Sequence, residues 1–109
     1  MLLNSVPVKV NGEDLEIVVN IGSMIAVEKS TGEGFIKVLG KMEGGDLIPL
    51  VALLGACLRK DGKPVGTDYI ENMFFDEVEK IIDPFMVAIE KAFPKKDSKN
   101  VKSTQKTKK

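Results

Sequence analysis

Apolar and polar positions alternate at the start of the chain. Val6, Val8 and Val10 are separated by Pro7 and Lys9, and Leu15, Ile17 and Val19 are separated by Glu16 and Val18. A period of two is the signature of strands with one buried face. Asn11-Gly12-Glu13-Asp14 lies between the two runs, and Asn-Gly tolerates the positive φ angles of a tight turn. The pattern predicts a β-hairpin from Val6 to Val19. Pro7 has no N–H for a ladder, which makes the first strand an edge.

After Asn20, a suitable N-cap, the period lengthens. Ile21, Met24, Ile25 and Glu28 fall on i, i+3, i+4, i+7 spacing, and Gly32 suits the left-handed position that ends a helix. Phe35, Val38, Leu39 and Met42 form the stripe of a second short helix over residues 34–42, broken by Gly44-Gly45. Asp46 is positioned to cap a third helix reaching to about Lys60, with Pro49 in its first turn. That helix is apolar nearly all round, so it is either central or covered by a partner. Asp61-Gly62-Lys63-Pro64 reads as a turn, and Thr67 as the cap of a short helix over residues 68–73. Asp76 and Glu79 resemble a capping box for a last helix carrying Val78, Ile81, Ile82, Phe85, Met86, Ile89 and Phe93 on one stripe. The stripe keeps phase across Pro84, which favours one kinked helix over two.

The pattern as a whole predicts an α+β protein with one domain over residues 1–94. An N-terminal β-hairpin is followed by a mainly α-helical body of about four to five helices. Residues 95–109 are Lys, Ser, Thr, Asn and Gln with one aspartate and a single valine, too polar to bury a core, and read as a disordered tail.

A length of 109 residues, 43% hydrophobic and 29% charged, is ordinary for one globular domain. No apolar run approaches the roughly 18 residues of a membrane span. Met1-Leu2-Leu3-Asn4 lacks the basic region of a signal peptide, which points to the cytoplasm. The net charge of zero conceals an asymmetry. Residues 95–109 carry seven Lys and one Asp (+6), and residues 1–94 carry 9 Lys or Arg against 15 Asp or Glu (−6).

Catalytic chemistry has little to work with. The chain contains no histidine, so an imidazole base, a triad or a zinc site is not expected. Cys57, the only cysteine, lies in an apolar run and reads as a small buried hydrophobe. Glu77, Glu79 and Glu90 sit opposite apolar stripes and read as a solvated face. Gly32-Glu33-Gly34 is too short for a dinucleotide fingerprint. An enzyme and a bound cofactor are therefore not expected. The lysine tail has no arginine and no aromatic residue for base stacking, and an acidic body precedes it. It reads as a solubilising or linker segment, and nucleic acid is not an expected partner.

Apolar side chains are plentiful for so small a fold. Leu47, Leu50, Leu54, Phe74, Phe75, Phe85, Ile89 and Phe93 are the candidates for a protein-binding surface, because a domain of this size cannot cover them all and exposed patches mark partner sites. A small acidic regulatory or adaptor module, with its basic tail contacting nucleic acid, is the alternative reading.

Val10-Asn11-Gly12-Glu13-Asp14-Leu15-Glu16-Ile17, followed by Ile21, Ile25 and Val27-Glu28-Lys29-Ser30-Thr31-Gly32, resembles the tail assembly chaperones of long-tailed bacteriophages and gene transfer agents. Glu28, Thr31 and Gly32 match the family's pattern at the end of its first helix, and Gly45-Asp46-Leu47 resembles the start of its apolar helix. The resemblance covers about residues 8–93, and Ile21-Gly22 and Pro84 depart from it. It implies a non-catalytic protein of the bacterial host cytoplasm, absent from the mature virion. Such a protein coats the tape-measure protein, helps recruit tail tube subunits and can associate with itself. It also implies a frameshifted longer form, for which Lys95-Lys96 marks a possible slip site.

Overall fold

The computed structural model describes residues 5–93, so the tail and its lysines lie outside the described residues. The fold is α+β: an N-terminal antiparallel hairpin, five helices, and a second small hairpin between the third and fourth helices. Strands β1 (Val6–Val10), β2 (Glu13–Ile17), β3 (Leu58–Lys60) and β4 (Lys63–Pro64) form one antiparallel sheet in that order. Helices α1 (Ile21–Thr31), α2 (Phe35–Glu43), α3 (Leu47–Cys57), α4 (Thr67–Glu71) and α5 (Phe75–Ala92) complete the body.

Both hairpins close on two residues with positive φ, Asn11-Gly12 (52° and 83°) and Asp61-Gly62 (53° and 82°). These are the angles of a turn whose twist matches its strands. Val10 faces Glu13 across the first turn, and Val8 faces Leu15 and Val6 faces Ile17. In such a hairpin alternate pairs exchange hydrogen bonds, which turns the backbone of Pro7 and Lys9 outward. Pro7 therefore removes a donor from the free edge of β1 and blunts it against strand addition.

β3 and β4 replace two sequence expectations. α3 ends at Cys57 rather than near Lys60, and the chain passes straight into β3, where Leu58 pairs with Ile17 and Arg59 with Glu16. Asp61-Gly62 is the tip of a hairpin rather than an isolated turn. The Glu13 carboxylate ties the pieces together, accepting from Lys60 Nζ at 2.8 Å and from the Tyr69 hydroxyl at 3.2 Å.

α1 is capped as expected, with Asn20 Oδ1 accepting from the Ser23 N–H at 2.9 Å, and Gly32 closes it at φ 76°. Its buried line differs from the expected one. Ser23 and Val27 face inward, while Ile21 and Ile25 are exposed. Ser23 tolerates burial because its hydroxyl donates to the Val18 carbonyl at 2.7 Å. The junction to α2 is built by Glu28, Thr31 and Gly32. Gly34 offers α2 no side-chain cap, and Glu28 Oε2 takes that place by accepting from the Phe35 N–H at 3.0 Å. The Thr31 hydroxyl donates to the Val27 carbonyl and accepts from the Glu33 N–H.

α5 is a single helix through Pro84. Pro84 leaves the Lys80 carbonyl without its helical donor, on the exposed side where water can serve it. The reciprocal bond at its start is made by Glu77 to the Phe74 N–H (3.2 Å), not by Glu79, so the helix begins before Asp76. α5 lies along β1 and β2, and Val78, Ile81, Phe85, Ala88 and Ile89 are its buried residues.

α3 is the axis of the body. It packs against α1, α2, α4 and the second hairpin, with Pro49, Leu50 and the whole run Ala52–Cys57 buried. Its approach to α4 is so close that a Cβ on Gly55 would lie 2.8 Å from the Gly66 carbonyl carbon and from the Thr67 nitrogen. The Gly66 N–H donates to the Gly55 carbonyl at 2.9 Å. Gly66, at φ 87° and ψ 166°, occupies a region that only glycine enters readily, and it stands at the N-cap of α4 in place of the expected Thr67.

Gly55→Ala is expected to destabilise the fold by about 1–3 kcal/mol, because the obstacle is backbone that cannot swing away. Gly40→Ala, in open space within α2, is expected to stabilise it by about 0.5–1 kcal/mol. Thermal denaturation followed by circular dichroism checks both; equal effects would contradict the packing described.

Candidate functional site

A concavity of the body opens where the cover over α3 runs out. At the end of α2 the Gly44 N–H donates to the Gly40 and Lys41 carbonyls, and Gly45 turns the chain at φ 102°. The Asp46 N–H then bonds the Lys41 carbonyl at 3.1 Å, setting the direction in which α3 departs. Pro49 is buried, and its missing N–H falls in the first turn, where no helical bond is lost. Leu47 and Ile48, just before it, are 61% and 81% exposed.

These two side chains line an open groove of about 1030 Å³. Val38, Val51 and Ala52 contribute apolar lining; the end of α1 supplies Ser30 and Thr31, and α4 supplies Thr67 and Glu71. Lys41 Nζ meets both Glu33 carboxylate oxygens at 2.8 Å, and Lys37 approaches the same carboxylate at 3.7 Å. The hydrogen bond from Lys41 holds the Glu33 carboxyl below its ordinary range. Asp46 makes no side-chain capping bond although it stands at the N-cap of α3.

The eight apolar candidates divide in two. Leu50, Leu54, Phe85 and Ile89 are buried in the core, and could meet a partner only if the fold opened. Leu47, Phe74 and Phe75 are exposed, the last two by 76% and 62%. Phe93 is partly exposed and stacks on buried Phe35, with ring centroids 6.2 Å apart and planes inclined by 28°. It thus covers the core as well as meeting solvent. Only Leu47 of the eight lines the groove, and Phe74 and Phe75 stand at the junction of α4 and α5. Ile48, the most exposed large apolar residue described, was not among the eight. Its signal was present, since a helix apolar nearly all round must leave some side uncovered if any neighbour stops short.

The groove is suited to holding apolar groups. Its Thr31 hydroxyl is committed to backbone bonds and its Glu33 to lysines. Among the described residues no three His, Cys, Asp or Glu side chains gather in a way that could hold a metal ion, and no helix is long and apolar enough to cross a membrane. Cys57 is fully buried, and desolvation pushes its thiol up to about 12, despite the opposing influence of Arg59 and a hydrogen bond with Ser23.

Because thiolate is the reactive form, Cys57 is expected to resist a thiol-specific disulfide reagent at pH 8 in the folded protein and to react fully in denaturant. Rapid labelling of the folded chain would contradict the burial. Leu54→Ala is expected to cost about 2–5 kcal/mol in a denaturant titration, whereas Leu47→Ala should stay within about 0.5 kcal/mol.

No protein-family model, curated protein or solved structure matches the chain.

Proposed function

We propose that this chain is a phage or prophage tail assembly chaperone. In this reading it binds apolar helical segments of the tape-measure protein in the host cytoplasm and helps recruit tail tube subunits during tail morphogenesis. The observation that carries the reading is the exposed Leu47–Ile48 pair at the opening of a groove walled by helices. A groove of this kind suits the apolar stripe of an amphipathic helix.

The resemblance adds the choice of client. The residues that match the family's pattern, Glu28, Thr31 and Gly32, form the α1–α2 junction, and Ser30, Thr31 and Glu33 of this region line the groove. The energetics suit a coat that must later be shed. Covering a Leu or Ile side chain fully returns about 1.5–3 kcal/mol, so the Leu47–Ile48 pair offers at most about 3–6 kcal/mol. Association itself costs about 4–15 kcal/mol, so binding at one site is weak. A long client with repeated stripes supplies avidity, and tube subunits can displace the chaperone site by site.

Co-expression with a tape-measure fragment is expected to keep that fragment soluble. The double substitution Leu47→Asp with Ile48→Asp should abolish the effect while leaving the chain folded, because both side chains already face water. A fragment that stays insoluble with the unaltered chain, or stays soluble with the doubly substituted one, would refute this assignment.

A further inference from the structure

We infer that the groove selects cationic amphipathic helices: an apolar stripe seats on Leu47, Ile48 and Val51, and Lys or Arg beside the stripe meets Asp46 and Glu71. The inference rests on the helix-binding reading above and adds the chemistry of the client segment.

The charges lining the groove are Glu33, Lys41, Asp46 and Glu71. Lys41 is bound by both oxygens of Glu33 and Lys37 approaches the same carboxylate, so Glu33 is neutralised. Asp46 and Glu71 form no ion pair among the described residues. The N-terminus of α3 carries about half a positive charge, which offsets only part of the Asp46 carboxylate. Among the described residues the groove is therefore left with an unpaired carboxylate at the N-cap of α3 and another on α4.

The wall formed by α4 has the same sign, since Thr67–Glu71 holds Asp68 and Glu71 and no cation. A helix with acidic flanks would bring like charges to both walls. One with basic flanks would gain two ion pairs and a favourable field on approach. The chain's own segment 95–109 supplies cations but only one apolar residue, Val101, so it has no stripe to seat on Leu47 and Ile48.

The test uses the full chain and fluorescent synthetic helices that share one leucine stripe and carry Lys, Gln or Glu at the flanking positions. Fluorescence anisotropy is expected to rank them Lys, Gln, Glu, with Lys over Glu by about tenfold at low salt. The gap should shrink at about 1 M salt, where screening acts within about 3 Å. Asp46→Lys with Glu71→Lys is expected to reverse the order. Equal affinity for all three helices, with binding still lost on Leu47→Asp, would overturn the charge selection and leave the helix-binding reading standing. Failure of any helix to bind, or binding indifferent to Leu47→Asp, would overturn both.

Discussion

Everything in this fold follows from the need to cover α3. Its sequence from Leu47 to Cys57 contains no charged residue, so it has no side that water can favour. The chain meets that need with α1 and α2 on one part of its surface, α4 on another and the second hairpin beyond its end. The contact with α4 is the tightest, since Gly55 lies against the Gly66–Thr67 backbone where a Cβ on Gly55 would not fit. The cover fails only at the first turn. There Gly44 and Gly45 have just reversed the chain, and Leu47 and Ile48 emerge into solvent.

A bare apolar turn is a liability for a small protein, whose stability is a small difference between large opposing terms. The rest of the surface limits the risk. Pro7 blunts the free sheet edge, and the helix surfaces away from the groove carry many charged side chains. At the groove the lining carboxylates bias what can enter.

Much of this was legible in the sequence, for local reasons. Asn-Gly flanked by alternating valines announced the first hairpin, Asn20 and Gly32 the two ends of α1, and the unbroken stripe across Pro84 a single α5. What was missed depends on tertiary context. β3 and β4 are too short to show a period, and Leu58 continues the apolar run of α3, so only Asp61-Gly62 hinted at a hairpin. The inward face of α1 carries Val27 and Ser23, whose hydroxyl bonds the Val18 carbonyl, and Ile21 and Ile25 are left outside. That choice is fixed by how α1 packs on α3 and α2 rather than by its own spacing. The candidate site was half legible. Composition showed that apolar surface would be left over, but which leucines of α3 meet water depends on where its neighbours stop. Leu50 and Leu54 were therefore indistinguishable from Leu47 until α1, α2 and α4 were in place.

In the proposed role a client helix covers the first turn of α3. Amide hydrogen exchange of the full chain, free and with a tape-measure fragment bound, measures this directly, because the first N–H groups of a helix have no internal acceptor. Slowed exchange at residues 45–52 and 67–71, with β1 and β2 unchanged, is the predicted result. Bound fragment with unaltered exchange in those segments, or with slowing confined to the Phe74–Phe75 junction, would contradict it.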